Sequence, residues 1–284
     1  MSMTEGARSN AAVEVFEQAA STYDRTGVSF FGPFGAELVR RAGIRPGERV
    51  LDVGCGRGAV LFPAADATGP TGRVTGIDLA PAMVRLTAED ARRVGLTHVD
   101  VRVDDAQQPN FPPRSFDAIL AGLVVFLLPE PQQALRTYAR LLRPSGRLAV
   151  STFAAQDPAF VAAMEALAAH LPEDQPRPTP AADPFADQRA ITATMAEAGL
   201  VVTAIREHRV ESRFRDVGHW MEWMSSHGGR ALLRHIPPER HDAATADADR
   251  ALESARVPDG GLSLTTAIRI TVAVPRAGAA AFAR

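Results

Sequence analysis

The segment that decides the fold reads Arg49-Val50-Leu51-Asp52-Val53-Gly54-Cys55-Gly56-Arg57-Gly58. It opens with a short apolar run, then alternates glycine with other residues, and passes into an alanine-rich helical pattern at Ala59. This order predicts a buried strand, a glycine loop and a helix. Glycines tolerate positive φ and let a ligand lie against bare main chain, so the segment predicts a small-molecule cofactor loop.

The carboxylate of Asp52 narrows the kind of ligand that this loop can hold. We expect Asp52 at the carboxyl end of a central strand, which is the edge where open α/β sheets bind their ligands. A negative charge at that edge repels a phosphate and attracts a cationic amine.

The same segment resembles the first motif of the class I S-adenosylmethionine-dependent methyltransferases, in which an acidic residue precedes a glycine-x-glycine-x-glycine loop. Asp52 matches the acid, and Gly54, Gly56 and Gly58 match the loop. The resemblance implies that Asp52, Gly54, Cys55 and Gly56 contact S-adenosylmethionine, and S-adenosylhomocysteine as the product. The loop also satisfies the dinucleotide pattern G-x-G-x-x-G/A, so an NAD(P)-dependent oxidoreductase is an alternative at this point.

A second strand pattern, Arg73–Asp78, again ends in an acid. Its distance from the glycine loop suits a βαβ unit that places a carboxylate on a ribose, so we expect Asp78 to accept hydrogen bonds from both ribose hydroxyls. The same position suits the N-cap of the next helix, and one residue can do both. The resemblance implies that Leu79 and Met83 also contact the cofactor, with Met83 packing on the adenine ring.

A third strand pattern, Val99–Val103, ends at Asp104-Asp105-Ala106. An Asp-Ala pair followed by a proline-bearing loop is similar to the family's third motif. The resemblance implies that the Asp105 carboxylate accepts from the adenine amine and that the Ala106 amide donates to a ring nitrogen. A dinucleotide oxidoreductase has no need of this pair, which therefore favours S-adenosylmethionine.

Four further strands complete the predicted sheet. Ser115–Gly122 predicts the fourth, in which the resemblance makes Ala121 a cofactor contact. Leu141–Val150 resembles the family's Leu-Arg-Pro-Ser-Gly turn into the fifth strand, and the resemblance covers roughly residues 30–155. Leu200–Val210 and Leu264–Val274 alternate and predict the sixth and seventh strands.

The resemblance implies that the amino-terminal segment closes over the cofactor and touches the acceptor. Apolar positions recur at helical spacing from Ala11 to Tyr23, and an aromatic turn follows. Tyr23, Phe30 and Phe31 are candidate acceptor contacts, and simple packing of two helices is the alternative explanation for them.

Residues 211–261 predict a helical cap between the last two strands, with Trp220 and Trp223 as candidate acceptor contacts. Histidine is the side chain best tuned to remove a proton near neutral pH, and we expect His227 to be the base, with His219 and then His170 as alternatives. Packing as the buried face of the cap stays open for this whole group. No spacing typical of a metal site occurs, so no metal is expected.

Composition excludes several classes of protein. The 284 residues are 46% hydrophobic and 23% charged, with a formal charge of −2, which argues against a general nucleic-acid or anionic-membrane binder. All 31 basic residues are arginines, so no lysine can serve as an amine base. The one cysteine excludes an internal disulfide, and neither a signal peptide nor a membrane span is visible. We expect a cytoplasmic protein.

Together these patterns predict an α/β, doubly wound, seven-stranded and mostly parallel sheet of the Rossmann-like methyltransferase type. Its expected parts are a helical lid (1–43), a cofactor-binding core (44–210), a helical cap that forms the acceptor pocket (211–261), and a last strand with the carboxyl-terminal tail (262–284). The expected function is methyl transfer to an oxygen, nitrogen or carbon nucleophile of a small natural product, aromatic, polyketide-like or prenyl-derived. A protein that binds S-adenosylmethionine without turnover is a second alternative. A homodimer is considered as the association state of the chain, and the sequence does not decide it.

Overall fold

The structure is a computed structural model that describes residues 13–173 and 183–276. Residues 1–12 of the predicted lid and residues 277–284 of the predicted carboxyl-terminal part lie outside the described residues.

A seven-stranded sheet in the order β3-β2-β1-β4-β5-β7-β6 organises the chain. Strands β1 to β5 pair in parallel, and β7 runs antiparallel to both β5 and β6. The predicted mostly parallel sheet with one reversed strand is thus confirmed. The strands are β1 (Arg49–Val53), β2 (Arg73–Asp78), β3 (Val99–Val103), β4 (Phe116–Gly122), β5 (Leu142–Phe153), β6 (Leu200–Phe214) and β7 (Leu262–Pro275).

Helices connect the strands and cover the sheet. The first helix, α1, is described over residues 13–19, and turns follow it to residue 24. The others are α2 (Phe31–Ala42), α3 (Leu61–Thr68), α4 (Pro81–Arg93), α5 (Pro131–Leu141), α6 (Pro158–Ala168), α7 (Gln188–Glu197), α8 (Val217–Ser225), α9 (Arg230–Leu233) and α10 (His241–Ala251), with short 3-10 turns at Val125–Leu127, Pro238–Arg240 and Glu253–Ala255.

The central strands send alternate side chains to opposite faces of the sheet. Val50 and Leu120 join the apolar cluster that contains α2, α3 and the cap helices. Their neighbours Leu51 and Ile119 join the cluster that contains α5 and α7. A parallel sheet covered on both faces favours apolar residues on both sides of each strand, which explains why Val50, Leu51 and Val53 flank Asp52 in β1.

Strand β6 is four residues longer than predicted. It pairs with β7 as far as Phe214 opposite Leu262, and its final residues alternate, with Ser212 and Phe214 buried and Glu211 and Arg213 exposed. Their charges obscured a period-2 pattern that the pairing with β7 reveals. The helices between β6 and β7 therefore begin at Val217 and not at residue 211.

Two searches of the described residues give negative results. None of their helices combines the length and the apolar character that crossing a membrane requires. No three histidine, cysteine or carboxylate side chains among residues 13–173 and 183–276 converge as metal ligands.

Candidate active site

The carboxyl ends of β1, β2 and β3 form one edge of the site, and the glycine loop lies across it. Gly54, Gly56 and Gly58 all have positive φ, at 66°, 47° and 87°. A Cβ at Gly54 would lie 2.5 Å from Cγ2 of Val124, so only glycine fits that backbone. The predicted loop thus takes the conformation that its glycines permit.

Asp52 is the most unusual polar residue of this edge. It is 1% exposed, and its Oδ2 atom accepts no hydrogen bond from any described residue. Burial, and then the nearby charge of Asp78, raises the pKa of this carboxyl well above its ordinary value. A buried carboxylate without a donor is costly to keep, and a cationic ligand would satisfy it.

Asp78 joins the glycine loop to the helix that follows β2. Its Oδ2 accepts from the Gly56 amide at 2.9 Å, and its Oδ1 accepts from the Ala80 amide at 3.0 Å. Burial raises the pKa of Asp78, while these two amides oppose the rise. The carboxylate lies at the end of β2, where a ribose contact was predicted, and it holds the loop through the main chain.

The end of β3 presents the predicted Asp105 and Ala106. The Asp105 side chain is exposed and accepts from the Gln107 amide at 2.8 Å. The carbonyl of Ala106 accepts from the Tyr138 hydroxyl at 2.6 Å, which fixes this turn against α5. The Ala106 amide donates to no acceptor among the described residues, so it is free to donate to a ligand.

The remaining predicted cofactor contacts differ in accessibility. Leu79 is 38% exposed, whereas Met83 is buried beneath the lid. Cys55 is buried in the loop, and burial raises the pKa of its thiol, followed by the charges of Asp78 and Asp52. Ala121 is completely buried in β4 opposite Val150, so its side chain is part of the sheet core.

The described part of the predicted lid, residues 13–43, lies against the glycine loop. The Tyr23 ring comes within 3.9 Å of the place where a Cβ would stand on Gly56. It stacks on Phe31 with ring centroids 4.7 Å apart and an interplanar angle of 23°. Burial, and then the charges of Asp24 and Asp78, raises the pKa of the Tyr23 hydroxyl. Tyr23 is therefore a neutral hydroxyl beside the cofactor loop.

Polar contacts that the sequence did not reveal fasten the lid. Arg57, in the glycine loop, donates from Nη1 to the Ala20 carbonyl at 3.0 Å and from Nη2 to Asp90 on α4. Glu17 on α1 accepts from the Ala82 amide in the first turn of α4 at 2.8 Å. Arg25 also pairs with Asp90, at 2.7 Å. No local pattern could show these contacts because they join three separate parts of the chain.

The lid and the cap meet in an aromatic cluster. Phe30 contacts the Trp223 ring edge to face at 5.0 Å, and Trp223 contacts His227 at 4.3 Å between centroids. Phe31 contacts the same histidine at 5.7 Å. The structure therefore brings together Phe30, Phe31, Trp223 and His227, from two segments nearly two hundred residues apart in sequence.

Two of the predicted cap residues take structural positions instead. Both ring nitrogens of His219 are occupied, because Nε2 donates to the Thr26 carbonyl at 2.8 Å and Nδ1 accepts from the Arg215 amide at 3.2 Å. No ring nitrogen is left for an acceptor, so the structure speaks against His219 as the base. Trp220 has no exposed surface and packs edge to face against Phe160 of α6.

His170, the third candidate base, belongs to the contact between α6 and α10. Its Nε2 atom lies 2.8 Å from a carboxylate oxygen of Asp247. This pairing gives the histidine a structural role against α10. His227 is the predicted base whose Nε2 has no partner among the described residues.

Sequence reasoning also missed Asp24 and Leu123. Asp24, at the end of the turns that follow α1, has φ of 56°, and burial raises its pKa to about 6, a shift that the Phe31 amide opposes. Leu123, directly after β4, has φ of 52°, and its amide donates to Ser151 of β5. Positive φ at such residues is uncommon and concentrates at functional sites. Neither position carries a signal in sequence, because backbone strain follows from tertiary contacts.

The edge formed by β1, β2 and β3 fits S-adenosylmethionine. Asp52 offers a buried acceptor that a cationic ammonium group would satisfy, and Ala106 offers a free amide for a ring nitrogen. Asp78 stands between them at the end of β2. The glycine loop leaves room for a ligand against its main chain at Gly56, where the nearest side-chain atom is the Tyr23 ring.

Comparisons with known proteins agree with this fit. Residues 44–223 match the family described as "Methyltransferase domain". The chain is 37% identical over 265 residues to nocamycin O-methyltransferase of Saccharothrix syringae, across 88% of this chain and 94% of that protein. It is 45% identical over 168 residues to aklanonic acid methyltransferase of a Streptomyces species, across 56% of this chain and 76% of that protein.

A solved structure extends the likeness to the fold. The YcgJ protein of Bacillus subtilis superimposes with a TM-score of 0.56 over 86% of this chain and 98% of that chain, at 18% sequence identity. That identity supports the fold alone.

The two sequence relatives both carry methyltransferase names, so neither the dinucleotide oxidoreductase nor the non-catalytic alternative is favoured. Because the family match spans more than half of the chain and the first relative nearly all of it, the chain belongs to the class I S-adenosylmethionine-dependent methyltransferases.

Proposed function

We propose that the protein methylates an oxygen atom of an aromatic or polyketide-like natural product, in the space between the lid and the cap. The observation that carries this proposal is the aromatic cluster of Phe30, Phe31, Trp223 and His227, which adjoins the Tyr23 ring over the glycine loop. The names of two relatives, nocamycin O-methyltransferase and aklanonic acid methyltransferase, support an oxygen acceptor.

The residues of the β1–β3 edge are proposed to hold the cofactor. When bound, S-adenosylmethionine supplies a methyl group on a positively charged sulfur. Asp52 would accept from its ammonium group, Asp78 would accept from its ribose hydroxyls, and Asp105 with the Ala106 amide would recognise its adenine. Asp52 and Asp78 also place negative charge where the ligand is cationic, which favours binding through Coulomb attraction in a site sheltered from water.

The lid and the cap are proposed to hold the acceptor. Flat apolar side chains on both sides suit a planar ring system, since aromatic surfaces gain from stacked and edge-to-face contacts. Correct placement of the acceptor oxygen would supply most of the rate, because well-oriented groups gain up to ~7–11 kcal/mol over free collision. Trp223, which borders this space, is retained as a proposed acceptor contact, and Trp220 is not.

The first experiment is a thermal unfolding series with S-adenosylmethionine, S-adenosylhomocysteine, NAD and NADP added separately. A ligand at 100 times its dissociation constant stabilises the folded state by about 2.7 kcal/mol. We expect both adenosyl ligands to raise the melting temperature and both dinucleotides to leave it unchanged.

The matched variants are Asp78→Ala and Asp117→Ala. Asp78→Ala removes acceptors for the ribose and for the Gly56 amide, and we expect it to abolish the shift caused by S-adenosylhomocysteine. Asp117 pairs with Arg143 at 2.6 Å away from the glycine loop, so Asp117→Ala should keep that shift. Stabilisation by NAD or NADP in place of the adenosyl ligands would refute the proposed cofactor site.

A further inference from the structure

His227 differs from the other described histidines of the cap in having a buried ring nitrogen without a partner. Its Nε2 atom is out of contact with solvent and has no hydrogen-bond partner among the described residues. The ring lies between Phe30, Phe31 and Trp223, so its surroundings are apolar. A buried polar atom without a partner is costly, and a ligand that pairs with it recovers this cost.

The other ring nitrogen of His227 decides which atom carries the proton. The Gly229 amide donates to Nδ1 at 3.2 Å. Nδ1 is therefore an acceptor, and in a neutral imidazole the hydrogen must lie on Nε2. Nε2 is then a donor toward the aromatic cluster and has no lone pair with which to take a proton.

The charge state of the His227 ring supports the same assignment of its hydrogen to Nε2. Burial lowers the pKa of His227 to about 4, so the ring is neutral near neutral pH. The ionisable groups on the elements around it include Tyr23 and Asp24 of the lid, and His219, Glu222 and Arg230 of the cap. None of these five is a cause of the lowered pKa, which burial alone explains.

We propose that His227 anchors the acceptor, by donating its Nε2 hydrogen to the oxygen of an organic acid, such as a carboxylic acid or an enol, that enters already ionised. The proposal rests on the proposed methyl transfer and replaces the role of base that the sequence suggested for His227. It names the acceptor class as oxygen acids, and it makes His227 a residue that selects them.

The reaction balances without a base at this site. The ionised oxygen supplies the electron pair of the new O–CH3 bond, and the S–CH3 bond breaks with its electron pair left on sulfur. No proton has to leave the acceptor. A neutral alcohol would need a proton acceptor at the same place, and Nε2 in this tautomer cannot be one.

Two substitutions separate a donor from a base. In His227→Gln the side-chain amide keeps an N–H near the position of Nε2 but cannot take up a proton. In His227→Phe the aromatic shape remains and the donor is lost. His235→Gln is the matched control, since His235 lies in the turn after α9 and bonds to the Ala231 carbonyl.

The probes are anthraquinone-2-carboxylate and the neutral 2-(hydroxymethyl)anthraquinone, which share one flat ring system. Binding is measured by quenching of tryptophan fluorescence with S-adenosylhomocysteine present, and turnover by mass spectrometry with S-adenosylmethionine. We expect the wild-type protein to prefer the acid, His227→Phe to bind it about 10–100-fold more weakly, and His227→Gln to stay within about fivefold, which are the usual effects of one hydrogen bond to a charged group.

Several results would overturn the proposal. Equal loss of turnover in His227→Gln and His227→Phe, with binding of the acid unchanged, would make His227 a base. Preference of the wild-type protein for the neutral alcohol, or no binding of the acid, would refute the acceptor class. Long-range 1H–15N spectra that show the hydrogen on Nδ1 would refute the tautomer.

The readouts also separate this proposal from the proposed function. Stabilisation by S-adenosylhomocysteine should be the same in the wild-type protein and in all three variants, since none touches the glycine loop. If the wild-type protein is not stabilised by S-adenosylhomocysteine, the proposed function fails, whereas the donor role of His227 fails only through its own variants.

Discussion

The cofactor edge and the lid–cap cluster are built in opposite ways. At the cofactor edge, Asp52, Gly54 and Gly56 lie within five residues, and their positions follow from one strand and one loop. In the lid–cap cluster, Phe30 contacts Trp223 although 193 positions separate them. The difference teaches that the proposed contacts at the glycine loop follow from one strand and its loop, whereas the proposed acceptor contacts are side chains that only folding brings together.

The largest effect is expected at Gly54, where the cofactor edge has no room for a side chain. In Gly54→Ala the new Cβ would stand 2.5 Å from Val124 on a backbone with φ of 66°. We expect loss of S-adenosylhomocysteine binding beyond detection by calorimetry, since strain of this kind costs about 1–3 kcal/mol before the clash is added.

The matched control is Gly27→Ala in the lid. Gly27 has φ of 81°, but a Cβ there meets no atom within 4 Å. Its cost should be the strain alone, with binding of S-adenosylhomocysteine retained. Equal binding losses in the two variants would show that the close approach at Val124 has no importance for the loop.

A smaller effect, of opposite sign on stability, is expected from Asp52→Asn. The folded-state pKa of Asp52 is raised, so the folded protein binds this proton more tightly than the unfolded chain does. The contribution of Asp52 to the free energy of unfolding therefore falls as pH rises from about 4, the ordinary aspartate pKa, through the pKa of Asp52 in the folded protein. Asparagine removes that pH dependence.

The measurement is the melting temperature of the ligand-free protein between pH 4 and pH 8. Asparagine stays neutral at every pH, whereas the wild-type protein loses the stability that protonated Asp52 provides as pH rises, so Asp52→Asn should melt several degrees higher at pH 8 than the wild-type protein. The same variant should be stabilised less by S-adenosylmethionine. A lower melting temperature at pH 8 would mean that Asp52 is satisfied in solution by a partner outside the described residues.

The smallest effect is expected at Arg57, which joins the glycine loop of the cofactor edge to the lid. Arg57→Met removes the donors to Ala20 and Asp90, so the lid is held less firmly over the glycine loop. We expect the affinity for S-adenosylhomocysteine to fall about 5–30-fold, as for the loss of one or two partly buried hydrogen bonds.

Arg85→Met is the control for that change. Arg85 is also paired with an acid, Glu89, but both side chains are largely exposed, and such pairs contribute little. Calorimetric titration with S-adenosylhomocysteine should give wild-type affinity for this variant. If Arg57→Met also binds with wild-type affinity, the lid is not fastened through the glycine loop.

Sequence patterns predicted most of the sheet, because each strand of the core is a local apolar run ended by a turn. Strands β2 and β3 lie where they were expected. The end of β6 was missed because its charged residues resemble a loop in the sequence. Only the pairing with β7 shows that they continue the strand. The predicted cofactor residues Asp78 and Asp105 lie at or just after the expected strand ends, but the hydrogen bond from the Gly56 amide to Asp78 could not be foreseen.

Among the histidines, sequence could nominate residues and could not rank them by chemistry. His219 and His227 are eight residues apart in one segment, and spacing alone treats them as equals. The structure gives His219 two hydrogen-bond partners and gives His227 one, with the other ring nitrogen buried. The difference arises from Thr26 and Phe30, which lie far away in sequence and close in space.

The sequence by itself determined the fold class, the cofactor loop and the family, because these depend on short-range periodicity and on glycines whose backbone freedom is intrinsic. The tertiary structure alone decided which lid residues meet the cap, which arginine fastens the loop, and which ring nitrogen carries a proton. The physical reason is that burial, desolvation and hydrogen-bond partnership are properties of surroundings, and surroundings are set by parts of the chain that no local pattern connects.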